Sequence, residues 1–378
     1  MKRFLSALLA CIMLLTLLTA CGGNTGTAPT GNPDSNPSPT SSSAPNSGGN
    51  TSKTYSVGFV LRTTGNAYYA NIGEGVKAAC EKLGWQCTVL DSNNDTSKEL
   101  ENMETLVAAG VDLIFLDCVD PSAATASQRV AYEANIPIIN LDSGVEDMSM
   151  QVTTVYSDNE QNGLAVGKYY AATLDKDYEI SAILLSGNTG SIAGQQRREG
   201  LMAGIIMQRT GCTEEEAWKA ADEMEKSIVS TGKAKNEAAK FEITGQGWGN
   251  WTIDEGLVAA EDLITANPNV NLVLAENDSM LIGAIKALEN AGITYGKDGK
   301  VKLISAADGS KQGYDYIKAG KIMAIGENSP SKIGTLGMKI AEEILVQGKD
   351  PSSYDDITMT EAIAVTAENV DEHYDYGF

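Results

Sequence analysis

A short apolar run that passes through a polar turn into an amphipathic helix recurs along this chain, and that repetition restricts the fold more than any other feature. It first occurs between Ser56 and Gly84. Val57, Phe59, Val60 and Leu61 have the length and character of a strand buried on both faces, as parallel sheets require. Ile72, Val76, Ala79 and Leu83 then recur at helical spacing, with Gly84 as the C-terminal stop. Further strand-like runs occupy 86–92, 113–118, 137–142 and 152–158, after which the pattern restarts at 180–186, 241–244, 271–276, 301–306 and 322–327. Helical patterns lie between them, from Ser122 to Ala134, Glu160 to Leu174 and Ala193 to Gln208, and from starts near Ile253, Ser279 and Lys311. Thr96 with Glu99, and Thr213 with Glu216, have the spacing of capping boxes. The alternation predicts two α/β lobes built of parallel βαβ units with right-handed crossovers.

The 378 residues suffice for two cores. Fifty acidic against 28 basic side chains give a formal charge of −22, which disfavours nucleic acid and anionic membrane surfaces as partners. Lys2 and Arg3 precede an apolar stretch too short for a permanent transmembrane helix, so residues 1–20 read as a signal peptide. Leu18-Thr19-Ala20-Cys21 resembles the bacterial lipobox, which implies cleavage before Cys21 and lipidation of that residue; a plain secretory signal is the alternative. Residues 21–52 then form a Gly/Ser/Thr/Asn/Pro-rich disordered tether that reaches roughly 30 Å at about 5–6 Å per square-root residue. Cys80, Cys87, Cys118 and Cys212 match no zinc spacing, and Cys80 with Cys87 reads either as a bridge or as buried free thiols.

The single histidine, His373, lies in the polar tail, which excludes Ser-His and Cys-His catalysis and ordinary histidine metal sites. GNTGSIAG at 187–194 lacks nucleotide-loop spacing, and TYGKDGK lacks the alternating ligands of a calcium loop. No cofactor and no metal are expected. Instead, polar and aromatic side chains collect at the carboxyl ends of the strands, where ligands bind in open α/β sheets. Asn66, Tyr68 and Tyr69 follow the first strand, and Asp142 ends the fourth. Arg197 opens a later helix, Trp251 lies in a Gly/Asn loop, and Asn277 and Asp308 follow two further strands. Each also has a plain reading: turn formers, a solvated charge, loop or helix-start packing. Together they suit a sugar, whose hydroxyls pair with Asp, Asn and Arg and whose C–H faces lie on Trp and Tyr.

The chain resembles the periplasmic sugar-binding proteins of ABC importers, of the ribose-binding type. The resemblance runs from about Tyr55 onward through GNAYY, LGWQCTVLDSNND, ANIPIINLD, SDNEQNG, AGQQRREG, WTIDEG, AENDSM, AADGS and ENSPSKIG. It implies two Rossmann-like lobes joined by a three-segment hinge, with crossings near Ser157-Asp158, Asn328 and Ile357. The lobes would comprise 53–157 plus 329–357, and 158–328 plus 358–378. It places ligand contacts on Asn66, Tyr68, Tyr69, Asp142, Arg197, Trp251, Asn277 and Asp308, with Asn328 where the family often has Gln. Ser143 departs from the Arg that commonly follows the aspartate in ribose binders, which tells against ribose itself. The acidic helix from Thr213 to Val229 looks like an insertion, with Trp218 in local packing. The expected function is a monomeric receptor, exported and lipid-anchored on the outer face of the bacterial cytoplasmic membrane. It would bind a neutral monosaccharide or polyol and deliver it to a membrane permease, without acting as an enzyme. The alternative is a sensor of a sugar-like signal, such as a furanosyl autoinducer, that presents its closed form to a membrane kinase or chemoreceptor.

Overall fold

The computed structural model of the chain describes residues 54–378. The expected signal peptide, Cys21 and the tether lie outside the described residues. The first β/α run comprises β1 (Ser56–Leu61), α1 (Ala67–Leu83), β2 (Gln86–Asp91), α2 (Thr96–Ala109), β3 (Leu113–Leu116), α3 (Ala124–Glu133), β4 (Ile138–Leu141) and β5 (Thr153–Ser157). The second begins with α4 (Asn159–Ala172), β6 (Ile180–Ser186), α5 (Ile192–Thr210), α6 (Glu214–Thr231), β7 (Ala234–Asn236) and β8 (Phe241–Trp248). It continues through α7 (Ile253–Ala266), β9 (Leu272–Ala275), α8 (Asp278–Asn290), β10 (Lys302–Ser305), α9 (Lys311–Lys318) and β11 (Ala324–Gly326). Last come α10 (Pro330–Leu345), β12 (Ile357–Thr360), β13 (Ala364–Thr366) and α11 (Val370–His373).

Two sheets result. The first has the order β2-β1-β3-β4-β5-β12 and is parallel throughout. Its strands are apolar on both faces: Phe59 and Phe115 pack beneath α1 and α10, while Val60, Ile114 and Leu116 pack beneath α2 and α3. The second sheet has the order β7-β8-β6-β9-β10-β11-β13, with an antiparallel strand at each edge. Ala182 and Leu184 face α4, α5 and α6, while Ile183 and Leu185 face α7 and α8. In each sheet the order reverses beside its first strand, and the carboxyl ends at that switch point are where an open α/β sheet forms a crevice.

Several expectations require correction. The cap of α2 is Asp95, whose carboxylate accepts from the Ser97 and Lys98 amides, not Thr96 with Glu99. Glu99 turns inward to accept from the Val119 amide and the Ser127 hydroxyl. β8 runs to Trp248, well past the expected end at 244, because Gly245 and Gly247 let Leu263 and Ala259 of α7 lie directly on the strand. β7, β12 and β13 carried no sequence signal, being three or four residues long. Because β12 pairs with β5 through Thr360, the third passage between sheets falls at 361–363 and not at Ile357. Thr213 and Glu216 do form the capping box of α6, whose Ala217, Ala221, Met224 and Ile228 are buried.

The chain passes between sheets after β5, after β11 and after β12. One buried side chain touches all three passages: Asn162 on α4 donates to Ser157 Oγ (3.1 Å) and the Glu327 carbonyl (2.9 Å) and accepts from the Ile363 amide (2.9 Å). The described residues accordingly pack as one unit.

α4 and α5 approach backbone to backbone. Gly163 and Gly167 on one face Gly200 and Gly204 on the other, and a Cβ at Gly163 would stand 2.6 Å from the Arg197 carbonyl oxygen. A Cβ at Gly204 would collide with the Leu164 carbonyl, which is backbone and cannot turn aside. Gly204→Ala should therefore destabilise the protein by about 1–3 kcal/mol, seen as a lower urea midpoint at unchanged slope. Gly75→Ala on α1, where a Cβ meets open space, should instead be neutral or slightly stabilising.

Candidate functional site

In the first half of the site, the turn after β1 delivers the N-terminus of α1. Asn66 caps that helix, its side-chain oxygen accepting from the Tyr68 amide at 2.8 Å. The next turn then aims Tyr68 inward. Its ring meets the edges of Tyr69 (5.6 Å) and Phe378 (5.4 Å), and Arg62 lies 5.3 Å over Tyr69. Asp142 leaves β4 with φ of 62°, a left-handed turn that Asp tolerates better than most residues.

The Tyr68 hydroxyl lies 2.7 Å from Asp142 Oδ1 and 2.7 Å from Asn328 Oδ1. A phenol has one proton and can donate to only one of two acceptors. Burial raises the Asp142 carboxyl above its ordinary value, against the bond from Tyr68, which lowers it. Burial, with the neighbouring carboxylates, likewise holds the Tyr68 phenol neutral.

The second half is built on Arg197, which is 7% exposed. Its Nε donates to Asn159 Oδ1 (2.8 Å), and Nη1 meets Asp308 Oδ1 (3.1 Å) and the Glu276 carbonyl (3.4 Å). Burial opposes the guanidinium charge, but Asp308 together with Tyr68, Tyr156 and Asp142 more than offsets this. Asn328 Nδ2 approaches the same Asp308 oxygen at 3.4 Å, which links the two halves. Trp251 stands 5.5 Å from the guanidinium, in a tight turn with φ of 44° at Asn250 and 63° at Trp251. Its indole lies flat over Gly187, where any Cβ would occupy the ring's position. Asn277 caps α8 through Met280 N and donates to the Trp251 carbonyl at 3.3 Å.

The structure thus joins Tyr68, Asp142, Asn328, Asp308, Arg197, Trp251 and Asn277 in one polar and aromatic chain across the carboxyl ends of both sheets, with Tyr69 packed beside it. Asn66 stays exposed, its side chain used as a cap. Asn159 and Glu276, which hold Arg197, escaped sequence reasoning, as did Asp117, fully buried and bonded to Ser143. Each ends or follows a strand, and that position was their only signal. Trp218 packs locally, its indole donating to Glu214 on its own helix. Cys80, Cys87, Cys118 and Cys212 are free thiols. Among the described residues, no cluster of three or more His, Cys, Asp or Glu is arranged to hold a metal ion. The chemistry on offer is recognition: charged and neutral donors and acceptors beside aromatic faces, with little water to compete.

Behind Asp308, Asp278 is fully buried, and burial together with the Asp308 charge holds its carboxyl at about 6. One oxygen accepts from the Ser310 amide and hydroxyl, while the other has no partner in the protein. With the folded value above the unfolded one, the stability Asp278 contributes is complete below about pH 3.8 and is lost as pH rises through 6. Asp278→Asn removes that loss. Its unfolding free energy relative to wild type should therefore improve by up to about 3 kcal/mol between acid and mildly alkaline pH, measured by urea unfolding across that range.

Comparison with known proteins places these features in a family. The family described as a periplasmic binding protein domain matches residues 57–350. The ribose import binding protein of Salmonella typhimurium is 26% identical over 298 residues, covering 79% of this chain and 87% of that protein. The ribose import binding protein of Bacillus subtilis is 26% identical over 345 residues, covering 91% and 94%. Among solved structures, an ABC transporter periplasmic solute binding protein from Actinobacillus succinogenes with bound D-allose superposes with a TM-score of 0.66 at 22% identity, over 84% of this chain and all of that one.

Proposed function

Because this chain belongs to the periplasmic binding protein domain family, we propose that it is the substrate-binding lipoprotein of an ABC importer, taking a neutral monosaccharide or polyol between its two lobes and handing it to a membrane permease. The observation that carries this reading is the chain of side chains from Tyr68 to Trp251. It draws donors, acceptors and aromatic faces from both sheets, as a polyhydroxylated ring requires. Ribose in the names of the relatives, and D-allose in a solved structure of the same fold, support the sugar class. The ligand contacts are Tyr68, Tyr69, Asp142, Arg197, Trp251, Asn277, Asp308 and Asn328, with Asn66 at the rim. The lobes move about the three passages between sheets. The bound ligand leaves unchanged, since this role is capture and not turnover.

Titration calorimetry of unfolded, stripped and refolded protein with D-ribose, D-allose and myo-inositol tests the reading. At least one should bind. Asp142→Asn should weaken that binding by roughly 10- to 150-fold, equivalent to about 1.5–3 kcal/mol for a bond involving a charged group, with thermal stability retained. A folded, stripped wild type that binds no aldose or polyol would overturn it.

The anchor is a separate element of the proposal. Cys21 carries the lipid and residues 22–52 let the lobes stand off the outer face of the membrane. Cys21→Ser should move the protein from the membrane to the soluble fraction. A single acyl chain binds only marginally, so stable attachment requires several, which intact mass measurement of the wild type would read directly.

A further inference from the structure

We propose that Arg198 and Glu225 are positioning residues for the second half of the site, and that the acidic helix α6 belongs to that half through them. Arg198 points away from the cleft, beside Arg197 on α5. Its Nε donates to Glu225 Oε2 at 2.7 Å, Nη2 to Glu225 Oε1, and Nη1 to Glu276 Oε1 at 3.0 Å. The three side chains are 8%, 6% and 0% exposed.

Glu276 is the relay. Its other oxygen accepts from the Gly187 amide at 2.8 Å, and its carbonyl accepts from Arg197. Gly187 is the floor on which the Trp251 indole lies, and a Cβ on Gly194 would stand 2.6 Å from Glu276 Oε2 and 3.2 Å from the indole. A chain of contacts therefore runs from α6 through Glu225, Arg198, Glu276 and Gly187 to Trp251. It settles both the height of the floor and the orientation of the carboxylate beneath it.

The apolar face of α6 does not account for Glu225. Ala217, Ala221, Met224 and Ile228 already bury the helix against α5, and an apolar residue at 225 would complete the same face without desolvating a charge. Buried ion pairs contribute little net stability compared with well-packed apolar replacements, so what this one supplies is a fixed geometry. Gln161 on α4 holds the other end of α6 through Glu214, to which Trp218 of the same helix also donates.

The proposal rests on the sugar-binding reading only for what the site holds, and its test needs no sugar. The chain has four tryptophans. Protein labelled with 5-fluorotryptophan gives their fluorine resonances, each assigned by its loss on Trp→Phe substitution. Arg198→Met and Glu225→Ala should each displace or broaden the Trp251 resonance and leave that of Trp85, in the first sheet's core, unmoved. Trp218→Phe, which loosens α6 without touching the relay, should leave Trp251 in place. A Trp251 resonance unchanged in a folded Arg198→Met or Glu225→Ala variant overturns the proposal. So does an equal displacement by Trp218→Phe, which would make α6 ordinary packing. If Arg198→Met does not fold, Glu225→Ala and the shape-conserving Glu225→Gln carry the same test. Wild-type protein that binds no sugar would leave this readout untouched, so the two readings fail separately.

Discussion

One amide holds the two sheets in register with each other. Asn162 has two donors and an acceptor on a short side chain, and it uses them on Ser157, Glu327 and Ile363, one for each place where the backbone passes between sheets. The residue is fully buried, so each bond it makes replaces one to water, and losing any would leave a polar group of a passage unmatched. Three passages that converge on one side chain cannot shift independently. A change in the angle between sheets has to be a rotation about this point, with the carboxyl ends of the strands, and the site on them, at the end of the lever.

The next constraint is the charge on Arg197. Sequestering a guanidinium costs several kcal/mol unless partners surround it, and Asn159, Asp308, the Glu276 carbonyl and the Trp251 ring do so from four different segments. Those segments meet because α5 lies against α4 without side chains between them. The glycines at 163, 167, 200 and 204 bring the Arg197 backbone close enough for Nε to reach Asn159, the first residue of α4. Packing density between two helices is in this way converted into the placement of a functional group.

The strand pattern was legible because parallel strands are apolar on both faces, and all ten anticipated runs became strands. The helices were legible from their period. What stayed hidden follows from the same physics. β7, β12 and β13 are too short for a pattern, and two of them are antiparallel additions at sheet edges. Asp95 and Thr96 are adjacent cap formers, and only the inward turn of Glu99 toward Val119 decides between them. Resemblance picked out Tyr68, Asp142, Arg197, Trp251, Asn277, Asp308 and Asn328, and the fold brings them together. It could not find Asn159 or Glu276, whose value lies in what they hold. The paired glycines were visible as four-residue spacings in 163–167 and 200–204, but nothing in one helix reveals that the other carries the matching pair.

The Tyr68 hydroxyl has a consequence for selectivity. It already joins Asp142 to Asn328, so the cleft keeps an internal guest that satisfies the same acceptors a sugar hydroxyl would use. On the sugar-binding reading, an incoming molecule exchanges bonds with that guest, and the net gain is a difference between two nearly matched terms. A ligand lacking one hydroxyl loses only that difference, because the phenol resumes the bond the hydroxyl would have displaced. Discrimination among similar rings is then a competition held inside the protein, with the tyrosine as the reference compound.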